Sequence, residues 1–247
     1  LDVGDVNGVV DQSYGSSGQT QEIKFGDYIV SMPTDAVILE DDSVIVVGGS
    51  TNDGSSFVSG LAKVLPDGNL DLDFGEDGIV VIEEATGDNM IQAVDIDTNG
   101  NIVVCGNVSY GEGERDAFVY RLDAEGSFDS SFSGDGKHIF AFANSDDNGC
   151  NDVITMPNGK ILVAGELHTG GHTDFALQRL NNNGDTDMTF GLNGLFQLDF
   201  SNEHDSITSI VVTAGGIVMA GYATDGGTKD FALAKVDFTG SLDEDFG

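Results

Sequence analysis

A nine-residue phrase that recurs at a nearly constant spacing constrains the fold of this chain more than any other feature. The phrase reads LDLDFGEDG at residues 70–78. It returns in altered form at residues 10–18, 128–136 and 186–194, and in part at residues 242–247. Its aromatic residues lie 60, 58, 58 and 56 positions apart, in the order Tyr14, Phe74, Phe132, Phe190 and Phe246. Because a fixed period of this kind is typical of propellers and other repeat arrays, we predict one repeat domain over residues 1–247, with repeats at approximately 11–70, 71–128, 129–186 and 187–247.

Short apolar runs bounded by Gly, Asn and Asp fill each repeat, and none has the length and period of a helix. In the repeat that begins at Asp129 we assign four strands, to residues 137–143, 150–156, 161–165 and 175–180. The third run, ILVAG, is continuously apolar, which predicts burial on both faces. We therefore predict an all-β fold, a β-propeller with one four-stranded antiparallel blade for each repeat of about 58 residues. A parallel β-helix is the alternative, but its coils are much shorter.

The two ends of the chain carry the same element, since residues 5–15 match residues 237–247 in phase. In a closed ring of four blades these two copies would compete for one position. We therefore expect an arc of a larger propeller, with Tyr14 and Phe246 as anchors at opposite ends. A closed four-blade ring is the alternative, because rings of about four to eight blades are the usual range.

The charge of the chain restricts its partners. It has 43 Asp and Glu against 9 Lys and Arg, which gives a formal net charge of −34. Such a balance repels nucleic acid and anionic membrane surfaces, and no apolar run approaches the roughly 18 to 20 residues that span a bilayer. We therefore expect no nucleic acid partner and no membrane insertion. The two cysteines, Cys105 and Cys150, occupy different positions of different repeats, so we expect two buried thiols rather than a bridge.

Four basic residues occupy one equivalent position of the repeats, and each precedes the Asp of a repeated phrase by eight residues. The pairs are Lys63 with Asp71, Arg121 with Asp129, Arg179 with Asp187 and Lys235 with Asp243. We predict a structural salt bridge in each repeat; a ring of cations facing a ligand is the alternative, although the exchange of Lys for Arg argues against bidentate recognition. The recurring aromatic ring is interpreted as an anchor between repeats rather than as a stacking platform for sugars.

Two groups of side chains are candidate metal sites. Asp71, Asp73 and Asp77 place three acids at alternating positions of one turn, which predicts a calcium site; Gly75 breaks the EF-hand spacing, and Asx turns are the alternative. His168, His172 and Asp174 are the only histidine cluster and are suited to zinc. Their position in a Gly-rich loop argues against a preorganised site. We predict no catalytic residue and no cofactor other than calcium.

The phrases LDLDFGEDG, PNGKILVAG and DFALQRLNNNG, in this order and spacing, resemble the delta-60 repeat family of β-propeller modules. The resemblance covers essentially the whole chain, although SFVSGLAKV replaces the DFAL phrase in the first repeat. It implies a non-enzymatic module of a secreted or cell-surface protein that acts as a scaffold or as an adhesion or interaction domain. Expected partners are a protein, a glycan or further repeats of the same chain. The alternative functions are a carbohydrate-active hydrolase or lyase, or a lectin-like glycan binder.

Overall fold

The computed structural model describes residues 12–20, 22–25, 28, 30–52, 56–84, 88–111, 114–144 and 147–247. This part of the chain contains fifteen strands and one short 3₁₀ turn, Phe142–Asn144. The strands form four antiparallel sheets, here named blades 1 to 4. No helix in these segments is long and apolar enough to cross a bilayer.

The first three blades have four strands each and the fourth has three among the described residues. Blade 1 consists of β1 (Val30–Ile38), β2 (Val44–Thr51), β3 (Val58–Val64) and β4 (Ile79–Ile82). Blade 2 consists of β5 (Asp88–Ile96), β6 (Ile102–Gly111), β7 (Glu114–Leu122) and β8 (Lys137–Phe140). Blade 3 consists of β9 (Asn148–Thr155), β10 (Ile161–Thr169), β11 (His172–Leu180) and β12 (Leu195–Leu198). Blade 4 consists of β13 (Ser206–Thr213), β14 (Gly216–Asp225) and β15 (Thr228–Val236). The predicted all-β propeller architecture is confirmed.

The sequence repeat and the structural blade are offset by one strand. The sequence assignment made residues 137–143 the first strand of a repeat, but β8 pairs with β7 through Tyr120 and Lys137 and is the outer strand of blade 2. The reason is the tight reversal in the phrase at 128–136, where the backbone N–H of Gly136 donates to the carbonyl of Phe132 at 2.7 Å. The chain therefore folds back on the preceding strand and crosses to the next blade only afterwards.

Each first strand contains a β-bulge opposite a glycine of the second strand. The bulged residues are Thr34, Gln92, Asn151 and Thr208. The facing glycines are Gly48, Gly106, Gly165 and Gly221, and a Cβ at any of them would overlap a backbone oxygen of the first strand. Because the first strands of neighbouring blades also pack on one another, the bulges shape the strands nearest the common axis.

Three apolar cores join consecutive blades. On β6, Ile102 and Val104 face blade 1, whereas Val103 and Cys105 face blade 3. The third core joins blades 3 and 4, with Phe175 and Leu177 inside it. The second strands of blades 2 and 3, β6 and β10, are therefore covered on both sides, as their continuous apolar sequences predict.

No core joins blade 4 to blade 1 in the described residues, so the blades form an open arc. At one end, Phe231 and Leu233 of β15 have relative exposures of 102% and 59%, whereas their counterparts in blade 3, Phe175 and Leu177, are fully covered. We name this surface the trailing face. At the other end, the leading face exposes Pro33, Ala36 and Ile38 of β1.

The predicted anchors lie at opposite ends of this arc. Tyr14 lies against Gly68 of the first blade, and the N–H of Gly15 donates to the carbonyl of Asp67 at 2.7 Å. Phe246 remains 40% exposed at the far end. The match between residues 5–15 and 237–247 falls partly on residues 5–11, which lie outside the described residues.

Candidate functional site

The four predicted cation–aspartate pairs are confirmed. In each pair, the backbone N–H of the aspartate donates to the carbonyl of the cation residue, which places the two side chains next to each other. The distances are 2.9 Å from Lys63 Nζ to Asp71 Oδ2, 2.8 Å from Arg121 Nε to Asp129 Oδ2, 2.6 Å from Arg179 Nε to Asp187 Oδ2 and 2.7 Å from Lys235 Nζ to Asp243 Oδ2. Each cation therefore binds the aspartate eight residues further along its own repeat, which favours a structural salt bridge over a ring of cations that faces a ligand.

The cations also reach the aromatic ring and the following repeat. The guanidinium of Arg121 lies 5.0 Å from the centre of the Phe132 ring and donates through Nη1 to the carbonyl of Asn182 at 2.7 Å. Arg179 lies 4.5 Å from the Phe190 ring. The rings of Phe74, Phe132 and Phe190 are buried, so these three act as anchors and offer no stacking surface to a sugar.

Each buried ring packs on a glycine in a turn of the next repeat. Phe132 lies against Gly184, and Phe190 against Gly240, both with a positive φ that a residue with a side chain rarely adopts. Beside these contacts, the N–H of Ser133 donates to the carbonyl of Asn183 at 2.8 Å. Ring, cation, aspartate and turn therefore form one structural joint between successive repeats.

The aspartates of two of these joints have pKa values below the ordinary range. Burial opposes the charged form of Asp187, but hydrogen bonds from Lys160, Thr189 and Arg179 hold its pKa far below the usual range. Burial also opposes ionisation of Asp129, while hydrogen bonds from Ser131 and the charge of Arg121 lower its pKa. Neither carboxyl is suited to donate a proton near neutral pH.

In the predicted calcium loop, the carboxylate of Asp71 is engaged locally. Asp71 Oδ2 binds Lys63, and Asp71 Oδ1 accepts the backbone N–H of Asp73 at 3.2 Å. This is the Asx turn that was the alternative for this loop, and it recurs at Asp129, whose Oδ1 accepts the N–H of Ser131 at 2.9 Å. A calcium site at Asp71, Asp73 and Asp77 stays a prediction.

A different group of three residues places its candidate metal-ligand atoms close together. His172, Asp174 and Asp199 are the one group of three His, Cys, Asp or Glu residues in the described part of the chain whose candidate ligand atoms all lie within 4.8 Å of one another. His172 Nε2 lies 3.2 Å from Asp174 Oδ1 and 3.9 Å from Asp199 Oδ2.

His168, the third predicted member of the histidine cluster, does not join this trio. It pairs with Thr173 across the β10–β11 hairpin, and successive residues of a strand point to opposite faces. His168 therefore lies on the face opposite His172 and Asp174. The expected Gly-rich loop is a two-residue turn at Gly170 and Gly171, so His172 stands within a strand.

Asp174 is the buried member of the trio. Its side chain is 2% exposed, and its Oδ2 accepts Gln197 Nε2 at 2.5 Å. Its Oδ1 has no hydrogen-bond partner. Burial raises the pKa of this carboxyl, and the nearby Asp199 raises it further, while the hydrogen bond from Gln197 lowers it.

The expectation of two free thiols is wrong, because Cys105 and Cys150 form a disulfide with their Cα atoms 6.0 Å apart. Cys105 lies on β6 of blade 2 and Cys150 on β9 of blade 3, and both belong to the core between these blades. Their positions in the repeat differ because the bridge connects the second strand of one blade to the first strand of the next.

A polar network that the sequence analysis missed also connects blades. Arg115 of blade 2 contacts Asp147 Oδ1 and Glu166 Oε1 of the blade 3 segment, both at 2.9 Å. Glu166 Oε2 accepts Asn151 Nδ2 at 2.7 Å and the hydroxyl of Ser206 in blade 4 at 2.5 Å. The network therefore spans three blades and satisfies a nearly buried carboxylate.

A cavity of about 1110 Å³ lies at the outer edge of blade 3. Amide and hydroxyl side chains line much of it, with Met188, Leu192 and Phe196. Asp199 is the single acid among the described residues of the lining. A glycosidase would need two carboxylates across the scissile bond, and the described part of the lining supplies one.

The strands, joints and cores define a β-propeller repeat protein. Three segments, residues 40–74, 98–132 and 157–190, match a protein family described as a domain of unknown function (DUF5122) beta-propeller. Each match begins near the turn before a second strand and ends at the anchoring ring, at Phe74, Phe132 or Phe190. These three segments are thus similar to repeats of the DUF5122 β-propeller family. No curated protein matches it.

Proposed function

We propose that this chain is a non-enzymatic interaction module of a secreted or cell-surface protein, which acts by packing blade against blade at its two open faces. The observation that carries this proposal is the exposure of Phe231 and Leu233 on the trailing face. Large exposed apolar patches on soluble proteins are typical of interaction sites.

The proposed occupant of the trailing face is a surface like the leading face, on further repeats of the same chain or on a second copy of it. Inside the arc, the surface equivalent to the trailing face is covered by the first strand of the next blade, as Ile207 and Ile210 of β13 cover Phe175 and Leu177. The leading face presents the corresponding surface of β1, where Ala36 is the counterpart of Ile210. The two open faces are thus the two halves of one repeated interface.

The geometry of such packing is head-to-tail. A head-to-tail contact gives a ring when its rotation closes and a filament when it does not. Two arcs of four blades would give eight blades, within the usual range of about four to eight.

The disulfide supports a secreted or surface location, because such bridges persist in oxidising compartments and are rare in the cytosol. The three matched repeats and the phrases quoted above support assignment to the delta-60 repeat class. Repeated, nearly identical joints also favour a scaffold over a single specialised active site.

Sedimentation over a range of protein concentrations tests the proposal. We expect reversible self-association that is weakened by Phe231→Ser and, independently, by Ile38→Asp on the leading face. Leu192→Ser is the matched control, since Leu192 is exposed at the cavity and lies on neither face. A monomer at all concentrations, or equal effects of Phe231→Ser and Leu192→Ser, would contradict it.

A glycan-binding role is the second candidate, and the cavity of blade 3 favours it. Its amides and hydroxyls, including Gln178, Asn193 and Ser241, are groups that hydrogen-bond sugar hydroxyls. Titration with neutral oligosaccharides should shift the amide resonances of residues that line the cavity. Absence of shifts at millimolar sugar would remove this candidate.

A further inference from the structure

The hairpin and edge strand of blade 3 bring His172, Asp174 and Asp199 to one point. His172 and Asp174 are two residues apart on β11 and therefore face the same side of the sheet. Phe175 pairs with Leu198 of β12, which places the next residue, Asp199, opposite Asp174. The trio is thus positioned by strands and not by a long loop.

The orientation of the two acids leaves one oxygen of each directed at the imidazole. Asp199 Oδ1 accepts the backbone N–H groups of Ser201 and Asn202, at 3.0 and 2.6 Å, while its Oδ2 lies 3.9 Å from His172 Nε2. Asp174 Oδ2 is held by Gln197, while its Oδ1 lies 3.2 Å from the same nitrogen. These hydrogen bonds orient the carboxylates as outer-shell partners orient metal ligands.

Asp174 supplies a separate indication that a ligand belongs here. Its side chain is 98% removed from solvent, being 2% exposed, and its Oδ1 makes no hydrogen bond even to the nearby imidazole. A buried carboxylate oxygen without a hydrogen bond is costly. A cation bound between Oδ1 and the imidazole would satisfy it.

The separations of His172 Nε2 from the two carboxylate oxygens fit a small divalent transition metal. In a tetrahedral zinc site with bonds of about 2.0 to 2.1 Å, ligand atoms lie about 3.3 Å from one another. The observed 3.2 Å matches this value, and the 3.9 Å contact of Asp199 requires a displacement of well under an ångström per ligand. Imidazole nitrogen suits zinc and its neighbours, whereas calcium prefers six to eight oxygens.

We propose that His172 Nε2, Asp174 Oδ1 and Asp199 Oδ2 form a binding site for a zinc-class divalent ion. Three protein ligands leave a fourth position for water or for a group of a bound molecule. That position is near the blade 3 cavity, because Asp199 and Gln197 both line it. The site does not depend on the blade-to-blade packing proposed above.

Calorimetric titration of the folded chain with ZnCl₂ tests the site. The titration is done in excess calcium, which occupies any sites made of carboxylates alone. We expect one zinc ion per chain, and cobalt should show the intense visible absorption of tetrahedral coordination. His172→Ala and Asp199→Asn should each weaken binding at least about 100-fold, beyond the 10- to 100-fold typical of losing an outer-shell partner. Gln197→Leu should fall within that smaller range.

His168→Ala is the matched control and should bind zinc as the parent chain does, since His168 lies on the other face of the hairpin. Asp199→Asn also guards against misfolding, because Asp199 follows the edge strand and is 32% exposed; its melting temperature should equal that of the parent chain. Absence of a stoichiometric site would overturn the proposal. Equal losses in His168→Ala and His172→Ala, or none in Asp199→Asn, would overturn it as well.

Discussion

A cation, an aspartate and an aromatic ring recur at the joints of the arc, but their burial changes along the chain. The side chains of Arg179 and Asp187 are 7% and 4% exposed, whereas those of Lys235 and Asp243 are 22% and 30% exposed. Removing one member of a buried ion pair leaves an uncompensated charge, whereas exposed pairs contribute little. The joints therefore contribute different amounts to the free energy of unfolding although they share one residue pattern.

Arg179→Ala should lower the free energy of unfolding by about 2 to 4 kcal/mol. The loss is limited because Lys160 still binds Asp187. Lys235→Ala, the matched change at the exposed end, should lower the free energy of unfolding by less than about 1 kcal/mol. Equilibrium unfolding in urea measures both, and equal losses would show that burial does not set the strength of these joints.

Residue pairs separated by a constant short distance were predictable from the sequence. Arg179 and Asp187 lie eight positions apart on one turn, so the spacing alone places them together. The disulfide was not predictable in this way, because Cys105 and Cys150 come from different strands of different blades, 45 positions apart. Asp199 was not predicted for a related reason: residues 195–198 fall within the predicted repeat 187–247, whereas they pair with β11 of the preceding blade.

At the scale of the strand, the repeated glycine after each middle-strand run is fixed by the bulge that faces it. Gly165 lies so close to the backbone oxygen of Gly149 that any side chain would displace β9. Bulges of this kind bend a strand and increase its twist. The glycine is thus required for the bulge that bends the first strand.

Gly165→Ala should destabilise the fold by about 1 to 3 kcal/mol or more, as overpacking against backbone does. Gly215→Ala is the control, because Gly215 is exposed and a Cβ there would meet only Lys235 at ordinary contact distance. Gly215→Ala should change the free energy of unfolding by no more than about 0.5 kcal/mol. Thermal unfolding of both variants checks the difference, and a neutral Gly165→Ala would contradict the role of the bulge.

The strands themselves were predictable, but their grouping was not. Continuous apolar runs such as 161–165 identified the middle strands, and burial on both faces follows from blade stacking. A periodic sequence does not indicate where one structural unit ends, because the same period is found whichever residue is taken as the start of the repeat. Only the backward turn at each aromatic phrase, such as that from Phe132 to Gly136, assigns the following strand to the preceding blade.

At the scale of the whole molecule, the blades form a row in which each contacts its neighbours. Stability in such arrays is a sum of unit and interface contributions. The disulfide covalently joins blades 2 and 3, and the Arg115 network crosses from blade 2 to blade 3. The middle of the arc is therefore held more firmly than its ends.

Replacing both cysteines by alanine should lower the free energy of unfolding by about 4 kcal/mol, from the loop entropy of a bridge across 45 positions. Unfolding of the parent chain in reductant should show a loss of similar size. Thiol titration of the unreduced, unfolded chain should find no free thiol. Two free thiols would contradict the bridge.

The net charge of −34 acts on the whole arc, because acids occur in every repeat. Like charges repel more strongly in the compact state than in the extended one, and salt screens this repulsion. The melting temperature should therefore rise with NaCl, and more steeply with calcium at equal ionic strength. The variant Asp73→Asn with Asp77→Asn leaves the Lys63–Asp71 pair intact and should remove the additional effect of calcium if that loop binds the ion. Equal melting in chelator and in millimolar calcium would leave screening as the whole effect and would remove calcium from the properties of this chain.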